Sequence, residues 1–304
     1  MIESVTKPPV VETPEPGVHE NVSFADYRAW QAVSQTGMKI LEEESASSFR
    51  EMRDFPRDSK AFREGRLVDC YSLEPEQWPD KYTLAPTAKD GTVLAKRSKA
   101  DKATWAQYEE RGKELVKPAE LELAKAMRAA FMAHSIAGPM VTDSKKQVSL
   151  LWQDAETGIL CKARPDMVVE THRLVMEWAQ PLPYRCLADL KTTRPGHAHP
   201  RRFYRTLAEW GYQFQAAFYR DGWEVLTGEK LPFLFVVGEK RPYPLVAVHG
   251  VTDRAFMVGR IQYRNALRIY QQCVLSGEWP GYDELLYEVD VPEWLARREL
   301  GEEA

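Results

Sequence analysis

Cysteine is scarce in this chain: four in 304 residues, Cys70, Cys161, Cys186 and Cys273, with no Cys-x-x-Cys pair among them. That scatter excludes a zinc ribbon and a secreted disulfide framework, so the four thiols are expected to be buried structural residues. No apolar run approaches the roughly 20 residues that a membrane-spanning helix requires. Neither sign of charge dominates. The 41 Lys and Arg against 45 Asp and Glu leave a net charge of −4, which excludes a histone-like polycation and confines any nucleic-acid surface to local patches. No internal repeat is present. The first 20 residues are polar and rich in proline and lack the charged-then-apolar order of a signal peptide, so they read as a disordered N-terminal arm, and the protein as cytoplasmic.

What the chain does have is enough apolar material, 44% of its residues, to build a sizeable core. Residues 21–140 read as a helical N-terminal part, with helices over 34–49, 59–72 and either one long helix over 102–134 or a pair broken near Pro118. Residues 141–280 alternate strand and helix. Val148 to Trp152 is strand-like, Glu156-Thr157-Gly158 supplies a turn, and Ile159 to Val169 returns as a second strand ending near Asp166. A third strand, Arg185 to Lys191, stops at Thr192-Thr193-Arg194-Pro195-Gly196. A helix over 200–222 carries an apolar stripe of Phe203, Leu207, Trp210, Phe214 and Phe218, with Tyr212, Gln215 and Tyr219 on a neighbouring stripe. Strands over 232–238 and 245–249 and an amphipathic helix over 253–276 close the core, and residues 281–304 form a tail. The fold class expected is α/β.

The chemistry concentrates in two short stretches. Lys162-Ala163-Arg164-Pro165-Asp166 ends in an acid, and 23 positions later Asp189-Leu190-Lys191 places an acid and a lysine two apart in an apolar strand. Side chains two apart in a strand share a face, so Asp189 and Lys191 project together while Leu190 enters the core behind them. A bare D-x-K triplet is most often structural, but here the acids fall on adjacent elements. Two carboxylates and an ammonium converging on one point are the minimum set for hydrolysing a phosphodiester with a divalent metal. The acids hold a hard cation through oxygen, and the lysine steadies the attacking water or the extra negative charge of the transition state.

The order of these elements resembles the PD-(D/E)xK nuclease superfamily, and more closely its exonuclease VIII (RecE-type) branch of phage and prophage recombination nucleases. The likeness is carried by Ser34-Gln35-Thr36-Gly37-Met38-Lys39, by Gly65 followed by Leu73-Glu74-Pro75-Glu76-Gln77, and by Arg97-Ser98-Lys99-Ala100. It continues through Trp152 with Thr157-Gly158, Cys161 to Asp166, and Tyr212 to Tyr219, spanning roughly residues 22 to 275. The resemblance implies a restriction-endonuclease-like core, a mixed sheet flanked by helices. It implies a Mg2+- or Mn2+-dependent exonuclease that degrades duplex DNA from its ends and leaves a 3′ single strand for a single-strand annealing partner. A ring-like homo-oligomer is implied as well. Asp166 and Asp189 would be the metal ligands, with the carbonyl of Leu190 as a further oxygen. Gln215 and Tyr219 would orient Lys191 or the scissile phosphate. The trio of C-terminal cysteines that anchors an iron–sulfur cluster in some relatives is missing.

Two positions depart from the family pattern. Where the family has a histidine four residues after the early glycine, this chain has Asp69 after Gly65. Asp69 reads either as a third, harder oxygen ligand or as a solvated helix residue. Gln147 stands where relatives tend to carry an acid at the start of the first strand, which weakens any supporting charge there. Two basic clusters are candidate DNA contacts: Lys96, Arg97 and Lys99, and the favoured set Arg194, Arg201, Arg202 and Arg205 just after the D-x-K strand. His197 and His199, with no third soft ligand, read as surface residues. Rival readings are a catalytically reduced DNA-end-binding or assembly protein, and an endonuclease of the same superfamily in defence or repair.

Overall fold

The segment Phe233–Glu239 is buried along its whole length, as a strand covered by helices on both faces must be. It lies in a five-stranded sheet with the order Val246–Gly250, Phe233–Glu239, Cys186–Thr193, Met167–Val169, Ser144–Lys146. The computed structural model describes residues 12–55, 58–170, 185–283 and 285–301. Phe233–Glu239 runs parallel to Cys186–Thr193, and the remaining neighbours are antiparallel. The strand period then sorts the side chains. Leu187, Phe233, Phe235 and Val237 pack against Phe214, Ala217 and Phe218 of the helix Tyr212–Thr227 and Phe256, Tyr263 and Leu267 of the helix Asp253–Ser276. Ala188, Leu190, Leu234 and Val236 point the other way, toward Leu67 and Val68 of the helix Lys60–Leu73 and Met127 and Phe131 of the helix Pro118–Ala133. The result is the mixed sheet with helices on both faces that the sequence leads one to expect.

A second sheet of four strands, in the order Gly17–His19, Ser149–Gln153, Leu160–Ala163, Val33–Ser34, abuts the first. It corrects two expectations. Residues 17–19, read as part of a disordered arm, pair with Ser149–Leu151, while residues 1–11 of that arm, like residues 284 and 302–304 of the tail, lie outside the described residues. The stretch 159–169, read as one strand, is two strands in two different sheets, because Pro165 cannot donate to a ladder and the chain bends there. All four cysteines are buried and free. No helix among the described residues is long and apolar enough to cross a membrane.

Two expected helices are also broken, and of the two alternatives for 102–134 the broken pair is the one found. The stretch 34–49 divides into Gln35–Glu43 and Ala46–Asp54, because Ser45 turns out of the helix and its hydroxyl accepts from the Ser48 amide at 3.0 Å to cap the second one. The stretch 102–134 contains Lys99–Glu109, a short strand Glu114–Val116 and Pro118–Ala133, with proline opening the last helix. The stretch 200–222 separates into Phe203–Glu209 and Tyr212–Thr227 at Gly211, whose φ of 61° is left-handed. That break rotates the first piece, and Trp210, expected in the core stripe, is 53% exposed.

The two helices over the site-bearing face cross at Gly259, where an added Cβ would lie 2.0 Å from the Gln213 carbonyl oxygen. Gly259→Ala is expected to cost about 2 kcal/mol or more by overpacking. Gly65→Ala, with open space around it, is expected to add about 0.5–1 kcal/mol by removing a mid-helix glycine. Urea midpoints of the two variants against the parent measure both, and a silent Gly259→Ala would contradict the close crossing.

Candidate active site

The antiparallel register that pairs Met167 with Ala188 brings Asp166, one residue earlier, across from Asp189. The alternation of the strand Cys186–Thr193 sends Leu190 into the core and leaves Asp189 and Lys191 together on the opposite face. Asp189 is buried, and its two oxygens are divided between two donors. One accepts from the Lys191 ammonium. The other accepts from Gln215 Nε2 at 2.6 Å, in the first turn of the helix Tyr212–Thr227. Lys191 is enclosed by aromatic rings, its ammonium 5.1 Å from the Tyr212 ring and 5.9 Å from that of Phe235. Asp166 accepts from the Leu190 amide at 2.8 Å on one oxygen and from Gln147 Nε2 at 2.9 Å on the other.

The electrostatics follow from crowding acids in a dry place. Burial, and then the charge of Asp189, push the Asp166 carboxyl up to about 7 despite the Leu190 and Gln147 hydrogen bonds. Burial and the charges of Asp166 and Asp189 likewise hold Asp69 well above the usual carboxylate range. Asp69, half-buried on the helix Lys60–Leu73, therefore feels both core acids. For Lys191, burial works to lower the ammonium, but Asp189, Tyr212 and Asp166 outweigh it, and it stays firmly protonated. Tyr219 is buried and shares a hydrogen bond with Gln215; burial and the neighbouring Tyr27, Asp189 and Asp166 raise its hydroxyl well above its ordinary value.

This donor set suits a hard divalent cation. It is made of carboxylate oxygens, and the carboxyls of two of its members, Asp69 and Asp166, are raised by burial and by the charge of neighbouring acids, a charge that an ion would offset. Among the described residues no three His, Cys, Asp or Glu side chains are gathered tightly enough to enclose an ion unaided; Asp189 is engaged by Lys191 and Gln215 instead.

Of the residues singled out in the sequence, Asp166, Asp189, Lys191, Gln215 and Tyr219 come together, and Asp69 lies within their electrostatic reach. Arg194, Arg201, Arg202 and Arg205 are exposed on the loop and short helix that leave the end of the Lys191 strand. Arg194 Nε donates to His197 at 2.7 Å, and the His197 ring meets Thr206 at 3.2 Å, so His197 organises this loop. Glu239 is buried at the end of the neighbouring strand and accepts from the Gly196 and Ala198 amides at 2.8 and 3.2 Å. Each basic cluster is partly neutralised: Arg194 pairs with Glu209 at 3.7 Å, and in the other cluster Lys96 pairs with Glu109 at 2.7 Å and lies over Trp105, while Arg97 and Lys99 are exposed.

Two further residues, Arg164 and Gln147, join the site. Gln147, expected to be a weak position, donates directly to Asp166, and Arg164 Nε donates to Gln147 Oε1 at 3.1 Å. The only signal for Arg164 was its spacing of two from Asp166 in a strand-like run.

Comparison with known proteins agrees with this architecture. A solved structure from Eubacterium rectale, described as a "putative exonuclease", has a similar fold, with a TM-score of 0.53 and 17% identity over 89% of this chain and 94% of that one. Among curated proteins none matches the sequence. Residues 23–287 match the family described as a PDDEXK-like domain of unknown function (DUF3799). The mixed sheet with helices on both faces is thus a restriction-endonuclease-like core, and the chain belongs to this PDDEXK-like family of the PD-(D/E)xK nuclease superfamily.

Proposed function

We propose that the protein is a metal-dependent DNA exonuclease that degrades duplex DNA from its ends, 5′ to 3′, leaving 3′ single strands. The observation that supports this reading most is the convergence of Asp166, Asp189 and Lys191 on one face of the sheet, with Gln215 fixing the second oxygen of Asp189. Asp166, Asp189 and, as a third acid, Asp69 would hold Mg2+ or Mn2+, with the Leu190 carbonyl as a further oxygen. Bound there, the ion would supply Lewis acidity toward a phosphate oxygen and a lowered pKa for water. Lys191, kept protonated and confined by Tyr212 and Phe235, would orient the attacking water and offset the charge that grows on the phosphate. Gln215 and Tyr219 would keep Asp189 and Lys191 in register. Arg194, Arg201, Arg202 and Arg205 would carry the DNA backbone toward them. In this reading residues 141–280 hold the chemistry apart from Asp69, which the helical part, residues 21–140, would supply, while a ring-like homo-oligomer and a single-strand annealing partner rest on the family resemblance alone.

Incubation with linear and with covalently closed duplexes in Mg2+ separates the readings. Loss of linear DNA only supports an exonuclease, cleavage of both an endonuclease, and binding of ends without cleavage an assembly protein.

Lys191→Ala is expected to keep Mg2+ affinity and lose about 100- to 1,000-fold in cleavage rate, the usual loss of one charge-stabilising donor. If affinity collapses together with rate, the lysine holds the site together and does not act on the phosphate.

The raised Asp166 carboxyl gives a pH test. Its folded value of about 7 exceeds its unfolded one, so between pH 4 and 7 the ion-free folded state binds the extra proton. The site's contribution to stability therefore falls as pH rises through that window. Mg2+ competes with this proton, so it should raise the melting temperature more at pH 8 than at pH 5. Asp166→Asn should flatten the ion-free pH dependence. An equal Mg2+ effect at the two pH values would remove Asp166 from the ligand set.

For the arginines, charge removal at Arg201, Arg202 and Arg205 should weaken DNA binding irrespective of sequence. The slope of log affinity against log salt should fall by about 0.9 for each lost duplex contact. An unchanged slope would leave them as solvated surface.

A further inference from the structure

Gln147 adopts φ of 51°, a left-handed conformation that among the described non-glycine residues is shared with Asn21 alone. Asparagine tolerates that region; glutamine, with a longer side chain that cannot bond its own backbone as readily, gains nothing from it locally. What the conformation achieves is contact. The Gln147 amide N–H donates to the Asp166 carbonyl at 3.0 Å, and its side-chain Nε2 donates to Asp166 Oδ1 at 2.9 Å. An amide group can face either way, but here Arg164 decides, because its Nε, which can only donate, points at Gln147 Oε1 from 3.1 Å and so turns the NH2 toward the carboxylate. Arg164 is itself fixed by neutral acceptors, the Val22 carbonyl at 2.8 Å and Ser149 Oγ at 3.2 Å. Asp166 Oδ2 is taken by the Leu190 amide at 2.8 Å. Both oxygens of one acid are thus oriented by donors from outside the acid cluster.

We propose that Gln147 is a positioning residue for Asp166, with its amide orientation set by Arg164, and that the strained backbone at Gln147 persists because only this conformation brings the side chain to the carboxylate. The proposal rests on the reading of Asp166 as a metal ligand. Outer partners that orient a ligand carboxylate govern ion affinity by about 10- to 100-fold. A purely structural glutamine would instead govern the stability of the fold.

Gln147→Asn separates the two. Asparagine suits the left-handed backbone better but is one methylene shorter, so it relieves the strain and cannot reach Asp166 Oδ1. Mg2+ titration of the ion-free protein by calorimetry, with thermal melting alongside, should give at least tenfold weaker binding with an unchanged or raised melting temperature. Gln147→Met, which keeps the length and removes both hydrogen bonds, should weaken binding similarly. In the Gln147→Met background, Arg164→Met should cost less affinity than it does alone, since the part of its effect that runs through the Gln147 amide is already gone. Affinity within twofold of the parent in Gln147→Asn, or a loss accompanied by a lower melting temperature, overturns the proposal. Asp166→Asn is the control: if it binds Mg2+ as the parent does, the assignment of Asp166 as a ligand fails, and the proposal with it for that separate reason.

Discussion

Between Lys146 and Ser149, and again between Ala163 and Met167, the chain passes from one sheet to the other, and the hydrogen bond from the Gln147 amide to the Asp166 carbonyl ties the two crossings together. The candidate site is built on this seam. A continuous hairpin would have carried Asp166 along the four-stranded sheet. The bend at Arg164-Pro165-Asp166 instead delivers it to the five-stranded one, in register with Asp189. Pro165 makes the bend compulsory by interrupting the ladder, and the strained Gln147 makes the matching bend on the partner strand.

Bringing acids together at such a seam is costly, and the surrounding structure shows how the cost is held down. Asp189 is buried, but it is saturated by a lysine and an amide, the condition under which a desolvated carboxylate survives. Among the described residues no cation is in contact with Asp166 or Asp69, and burial together with the neighbouring acids raises both carboxyls. The site is therefore divided into a neutralised half, Asp189 with Lys191, and an under-compensated half that a divalent ion would complete. The rings of Tyr212 and Phe235 lie beside Lys191 in the first half.

Much of this was legible in the sequence where one period governs the outcome. Asp189, Leu190 and Lys191 sort to opposite faces because strand alternation leaves no other choice, and Gln215 and Tyr219 share a helical stripe for the same kind of reason. What was not legible depends on contacts between distant segments. Nothing near Gln147 announces that its side chain meets an acid 19 positions away, and an absent charge reads as a weakness until the hydrogen bond is seen. The break at Gly211 is a middle case. A left-handed glycine between two apolar stretches is a known stop, yet the continuous stripe from Phe203 to Phe218 argued for one helix and carried Trp210 wrongly into the core. Pro165 likewise stood in plain view inside a run read as a single strand.

The stretch Lys162 to Asp166 acts as one device across this seam. Lys162 is buried with no acid in contact among the described residues; its ammonium donates to the carbonyls of Tyr27, Arg28 and Trp30 at 3.0, 3.0 and 2.8 Å, the end of the helix Phe24–Ala29. A cation there meets the exposed carbonyls of a helix C-terminus, which offsets part of the desolvation that lowers its pKa to about 8. Arg164, two residues on and on the same face, grips the Val22 carbonyl just before that helix. Tyr27 lies against both cations, 5.2 Å from Lys162 and 5.5 Å from Arg164. The N-terminal helix is thus stapled at both ends to the strand whose next turn presents Asp166. Residues 22–30 are part of the scaffold that fixes the acid, and loosening either cation would reach the site through the backbone that the two share.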